Sequence, residues 1–177
     1  MFYTIGHSTR SIPDFVRLLR AAGADVVVDV RSVPRSRSNP QFNRDTFPAA
    51  LASRGIEYRH IRELGGLRGK QRQASASANA FWENESFRNY AGYAATPAFR
   101  AGFDELRALG GGRVCAIMCA EALWWRCHRR IIADYLIAAG ETVRHIIGPD
   151  KIEIARLTPS AVRTAEGTLI YPGKAAV

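Results

Sequence analysis

Short apolar runs alternate along the chain with segments whose apolar residues recur every three or four positions, the signatures of strands and amphipathic helices. Phe2 to Ile5 reads as a strand ending at Gly6-His7-Ser8. Ser11 to Ala22 reads as a helix, with Pro13 and Asp14 in its first turn, Phe15, Leu18, Leu19 and Ala22 on one stripe, and Gly23 as its stop. Val26 to Val30 is apolar on both faces, as a parallel strand covered on both sides should be. Asp45 to Arg54 predicts a second helix and Ile56 to Ile61 a third strand. Helical stretches follow over about Ala80 to Ala94 and Pro97 to Leu109. Then come a strand over Val114 to Cys119, a helix over about Leu123 to Ala139, and a strand over Thr142 to Ile147.

This alternation predicts one α/β domain over 1–177, a Rossmann-like three-layer sandwich of about five mainly parallel strands with helices on both faces. Its core would span about 2–147, and the segment 148–177 is weakly patterned. Right-handed crossovers place the strand C-termini along one edge, where ligands bind at the point of strand-order reversal. If the first and fourth strands are neighbours, that point lies between His7-Ser8 and Cys119-Glu121. Two stretches, Arg31 to Arg44 and Leu64 to Asn79, read as long loops, the second holding an Ala/Ser-rich run from Ala74 to Ala78.

Composition narrows the class. With 47% hydrophobic and 23% charged residues in 177, the chain is neither disordered nor fibrous. No signal peptide opens it and no apolar run nears the roughly 18 residues of a membrane span, so the expected location is the cytoplasm. Three cysteines (Cys115, Cys119, Cys127) make no secreted framework. The net charge of +9 rests on arginine, whose fork suits phosphate and carboxylate. Ten basic residues from Arg31 to Arg72 stand against three acidic ones, with Ser36, Ser38, Asn39, Gln41, Phe42 and Asn43 interleaved. That is a footprint for a nucleotide or nucleic acid, and equally for a solvated basic loop.

The densest chemistry is Cys119-Ala120-Glu121 followed by Cys127-His128-Arg129-Arg130. Four readings are open: acid–base or glycosyl-type chemistry on Glu121, a Cys119 thiolate nucleophile, a metal on Cys119, Cys127 and His128, or a purely structural cluster. The C-x6-R spacing from Cys119 to Arg126 is one residue longer than a thiol-phosphatase loop, and no paired C-x2-C supports a metal. A helix running through Cys127 and His128 would point both at the sheet and turn Arg126 away. A carboxylate buried at the strand end would need a partner, for which Arg129 is placed. The second cluster is His7, Ser8 and Arg10 with Asp29 and Arg31. It lacks G-x-G-x-x-G, so it does not support dinucleotide binding, and Asp29 with Arg31 also reads as a structural pair.

Several stretches together resemble domain-of-unknown-function family 488. They include Thr4-Ile5-Gly6-His7-Ser8, Asp29-Val30-Arg31-Ser32-Val33-Pro34-Arg35-Ser36, Pro40-Gln41-Phe42-Asn43, Leu64-Gly65-Gly66, Phe87-Arg88-Asn89-Tyr90-Ala91, Met118-Cys119-Ala120-Glu121 and Trp124-Trp125-Arg126-Cys127-His128-Arg129. The resemblance implies a compact cytoplasmic α/β domain and carries no settled reaction. Members often have a His before an Arg-Leu-Thr run, where Ala155 stands here.

The working expectation is an enzyme, a hydrolase or transferase, acting on a nucleotide, nucleic acid or other phosphorylated substrate. Glu121, Cys119 and His128 would carry catalysis, and His7, Ser8, Arg10, Asp29, Arg31, Arg35, Cys127 and Arg129 would bind substrate. The rival expectation is a non-catalytic nucleic-acid-binding module using residues 31–72. A metal-binding or thiol redox protein is a lesser alternative. No particular cofactor, membrane partner or oligomeric state is indicated.

Overall fold

Successive residues of the central strands go alternately to two separate cores, as the two-residue period of a strand requires. The computed structural model describes residues 1–71 and 76–173. Its strands β1 (Phe2–Gly6), β2 (Val26–Asp29), β3 (Glu57–His60), β4 (Cys115–Cys119) and β5 (Val143–Gly148) are mutually parallel, and β6 (Lys151–Ile154) runs antiparallel to β5. The sheet order is β3-β2-β4-β1-β5-β6. A two-stranded hairpin, β7 (Val162–Arg163) and β8 (Leu169–Ile170), lies outside it.

Tyr3, Ile5, Val27, Ala116 and Met118 pack against Phe15 and Leu19 of α1 (Ile12–Ala21) and Phe47 and Leu51 of α2 (Phe47–Ala52). Phe2, Val26, Val28, Cys115 and Ile117 pack the other face. There they meet Tyr90 of α3 (Glu85–Tyr93), Phe99 and Phe103 of α4 (Pro97–Gly110), and Ile131 and Tyr135 of α5 (Arg129–Ala138). The result is the expected three-layer α/β architecture. Three helices start on side-chain caps: Ser11 Oγ accepts from the Asp14 N–H, Asn84 Oδ1 from Ser86 and Thr96 Oγ1 from Phe99. Gly23, at φ +64°, takes the left-handed turn after α1.

The mainly parallel sheet of about five strands is present, and Lys151–Ile154 folds back on β5 as a sixth, antiparallel strand. Two expectations need correction. The segment beyond Gly148 is not a tail outside the core: Thr158, Leu169 and Tyr171 are buried, and Asp134 of α5 accepts from the Thr158 N–H at 2.8 Å and the Tyr171 hydroxyl at 3.1 Å. Second, the helix expected from Leu123 starts only at Arg129. Trp124–Arg126 forms a single 3-10 turn and Cys127 is extended at φ −127°, ψ 145°, so no common helical wheel joins Trp124, His128 and Ile131. Of the long loop from Leu64 to Asn79, Arg62–Leu64 and Ala76–Asn79 are 3-10 turns, while 72–75, including Arg72 and the start of the Ala/Ser run, lie outside the described residues. Among the described residues no helix is long and apolar enough to cross a membrane.

Candidate functional site

The chain leaves β1 over one face of the sheet and β4 over the other, so the C-terminal tips of these neighbours open a crevice between them. Gly6 is level with Cys119 in the β1–β4 register. The pairing runs on past the strands, with the His7 N–H donating to the Cys119 carbonyl at 2.9 Å and the Ser8 N–H to Ala120 at 3.0 Å. A cleft of about 720 Å3 opens there. Of the residues expected at the site, His7, Ser8, Arg31, Arg35, Cys119, Glu121, Cys127 and His128 line it.

The floor is a sulfur–imidazole cluster. The ligating atoms of Cys119, Cys127 and His128 all lie within 4.8 Å of one another. Cys127 Sγ is 3.6 Å from His128 Nδ1, and His128 Nε2 is 3.1 Å from the Val30 carbonyl. A carbonyl can only accept, so Nε2 carries the proton and Nδ1 offers its lone pair to the sulfurs. Behind them Arg129, fully buried, donates from Nε to Cys127 Sγ at 3.2 Å and from Nη2 to the Glu121 main-chain carbonyl. Burial alone would push the Cys127 thiol up, but the hydrogen bond from Cys119 and the charge of Arg129 hold it well below the usual thiol range. Cys119 goes the other way, pushed up by its hydrogen bond to Cys127 and by burial.

Glu121 departs from expectation. Its carboxylate is exposed on the rim, where Oε1 accepts from the Leu123 N–H at 3.1 Å. Arg129 binds the main chain of this residue, not its carboxylate.

His7 and Arg31 belong to a buried network. Arg31 donates to both carboxylate oxygens of Asp29 at 2.6–3.1 Å and to the Phe42 carbonyl at 2.7 Å. Tyr58 adds its hydroxyl to Asp29 at 2.8 Å. His7 stacks on Phe42 with centroids 4.3 Å apart, its Nδ1 lies 2.8 Å from the Ser8 carbonyl, and its Nε2 lies 3.2 Å from Arg31 Nη1. The Ser8 carbonyl fixes the proton on Nδ1, so Nε2 accepts from the guanidinium. Burial, with the Arg31 charge, lowers the His7 pKa to about 4, so the ring is neutral. Arg10 is outside the cleft and ties β1 to β5 through the Gly6 and Ile147 carbonyls. Asp29 and Arg129 likewise do not line it.

Two cationic side chains reach the cleft with no partner among the described residues. Arg35 was expected there, whereas Arg126 was assigned to the opposite face by a helix that does not form. Gly66 is also part of the site: a Cβ on it would meet His128 Nδ1 at 2.4 Å, so its bare backbone makes room for the imidazole. The Gly65-Gly66 pair was legible as a place of close approach, but the group approaching is the protein's own. Elsewhere in the basic segment, Arg59 pairs with Glu57, Arg54 holds the Ala50 carbonyl, and Arg68 holds three carbonyls while its guanidinium lies 3.9 Å over the Tyr93 ring.

An α/β three-layer fold with a polar crevice at the β1/β4 switch point, floored by two thiols and an imidazole, is the class that these features define. The chain belongs to the family described as "Domain of unknown function DUF488", which matches residues 11–136. Neither curated proteins nor solved structures gave a match.

Proposed function

We propose that the chain is an enzyme, a hydrolase or transferase, that acts on a phosphorylated or nucleotide-type anion bound in the crevice, with its chemistry on the Cys119–Cys127–His128 floor. One observation carries the reading. A fully buried guanidinium needs an anion, and Arg129, which makes no ion pair with a carboxylate among the described residues, has Cys127 Sγ at 3.2 Å for that purpose. Cys127 is then a permanent electron-pair donor facing a cleft large enough for a metabolite. In this reading Cys127 takes the donor role that the sequence suggested for Cys119, and Cys119 is the thiol that steadies it. Arg35 and Arg126 clamp the anion. Glu121, exposed beside them, serves as the proton-transfer group.

The test begins with binding. Calorimetry against inorganic phosphate, mononucleotides and sugar phosphates should find a ligand that Arg126→Gln weakens by roughly tenfold. With that ligand class as substrate, Cys127→Ser and Glu121→Gln should abolish turnover, and Glu121→Gln should leave the melting temperature nearly unchanged. If no phosphorylated compound binds below millimolar concentration, the reading is lost. If DNA or RNA binds with steep salt dependence and indifference to Cys127 and Glu121, a nucleic-acid module replaces it.

A further inference from the structure

We propose that Cys119, Cys127 and His128 are three ligands of a thiophilic divalent cation of the zinc type, whose fourth position faces the cleft. The inference rests on the same floor as the proposed function and names its cofactor. The sequence offered these three residues as one of four open readings but without a supporting C-x2-C spacing, because the ligands come from the end of β4 and from the break before α5 instead of from a compact knuckle.

Four features of the site support it. The first is reach: the three donor atoms lie within 4.8 Å of one another. Bonds of about 2.3 Å to sulfur and 2.0–2.1 Å to nitrogen in a tetrahedron set an S···N edge of about 3.5 Å. Cys127 Sγ and His128 Nδ1 are 3.6 Å apart. The second is the imidazole tautomer. Val30 holds the proton on Nε2 and turns the Nδ1 lone pair toward the sulfurs, the outer-sphere arrangement that orients metal-bound histidines. The third is charge: two thiolates and one divalent cation cancel, and Arg129 donates to the Cys127 sulfur from behind, as outer donors to ligating thiolates do. The fourth is access. All three ligands line the cleft, no fourth His, Cys, Asp or Glu joins the group among the described residues, and Gly66 keeps the imidazole's flank clear. A Cys2His set with an open position suits a catalytic ion that binds water or a substrate oxygen. With the cluster neutral, Arg35 and Arg126 still draw an anion toward it.

Cobalt(II) reports the site directly. Chelator-treated full-length protein titrated with cobalt should develop thiolate-to-metal absorption in the near ultraviolet and visible bands of tetrahedral intensity. Both should saturate at one equivalent, and zinc should bleach them. Cys119→Ser, Cys127→Ser and His128→Gln should each weaken binding roughly 100-fold or more, and Gly66→Ala, which crowds Nδ1, by at least about tenfold. Cys115→Ala should change nothing, since Cys115 lies inside the sheet. Unfolding midpoints of the metal-free variants separate lost ligands from lost fold. Failure of the wild-type protein to bind cobalt or zinc at micromolar concentration overturns the proposal, as does binding that survives both Cys119→Ser and Cys127→Ser. Metal binding without any phosphorylated ligand would overturn the substrate reading alone. Phosphate-ester binding by a protein that takes no metal would overturn this one alone.

Discussion

Arg129 Nε donates to Cys127 Sγ at 3.2 Å from a position with no solvent exposure, and the same guanidinium holds the main-chain carbonyl of Glu121. One cation thus fixes both the sulfur at the cleft floor and the turn that carries the rim carboxylate. Those two points, Cys127 and Glu121, are six residues apart along the chain with a 3-10 turn between them.

Removing that cation should cost the fold and not only the site. Arg129→Met leaves the Glu121 carbonyl unpaired and the Cys127 sulfur without its charged donor, and losing one partner of a buried pair costs about 3–5 kcal/mol. The sulfur can recover part of this by taking a proton, so a loss of about 2–4 kcal/mol is expected. Arg129→Lys should recover only a minority, because a single ammonium cannot span both acceptors. Urea unfolding of the two variants checks this. A change below about 1 kcal/mol for Arg129→Met would show that the pair does not hold the turn.

Asp29 and Arg31 should behave as a structural pair. They are 0% and 6% exposed, and the guanidinium also serves the Phe42 carbonyl and His7. Asp29→Asn should therefore destabilise by about 3–5 kcal/mol. Tyr58→Phe, which removes one hydrogen bond to the same carboxylate, should cost about 1 kcal/mol. Chemical denaturation of both variants gives the ranking, and the reverse order would contradict the network. Arg31→Lys should likewise show its effect as lost stability, in contrast to Arg126→Gln, whose effect should fall on ligand affinity.

Gly6 tests the closure of the crevice. A Cβ there would sit 2.1 Å from the Glu121 carbonyl oxygen and 2.7 Å from the Ala122 Cα, both backbone atoms that cannot swing aside. Gly6→Ala must push the β1 tip from the turn after β4, at a cost of about 3 kcal/mol or more. Gly69→Ala, with nothing within 4 Å of its Cβ, is the matched control and should stay within about 0.5 kcal/mol. Equal melting temperatures for the two variants would mean that the tips are not packed as described.

The layers and the crevice were legible because they rest on periodicity and topology. Val26–Asp29 and residues 115–118 are buried on both faces, as a covered parallel strand requires, and the meeting of His7-Ser8 with Cys119-Glu121 follows once β1 and β4 are neighbours. Two local readings failed. Extending the helix back through Cys127 turns Arg126 away, whereas the extended Cys127 does not, and placing Glu121 at a buried strand end misses that it lies two residues past β4 on the exposed rim. No propensity marks the break at Cys127, because Trp124 to Arg130 contains neither Gly nor Pro. The C-terminal segment was illegible for a different reason. Its buried anchors Thr158, Leu169 and Tyr171 are isolated single residues, while β6 is mostly exposed, with Ile154 69% open, so no period announces it.

His145 should make the fold acid-sensitive. Its ring stacks on Trp124 with centroids 4.1 Å apart and planes at 8°, and Nδ1 lies 2.7 Å from Thr4 Oγ1. Burial first, then the charges of Arg129 and Arg130, lower its pKa from 6.5 to about 4. As pH falls, the unfolded chain takes up this proton first, so stability is complete above pH 6.5 and drains away between about 6.5 and 4. At about 1.4 kcal/mol per unit the loss from this ring is roughly 3 kcal/mol across that window. His7, lowered to about 4 as well, adds a drain of the same sign. Urea unfolding of wild type and His145→Gln from pH 7.5 to 4.5 tests the assignment. The variant should start less stable at pH 7.5, having lost its stacking, yet lose markedly less on acidification because only His7 remains. Parallel stability–pH curves would place the acid sensitivity elsewhere than at His145.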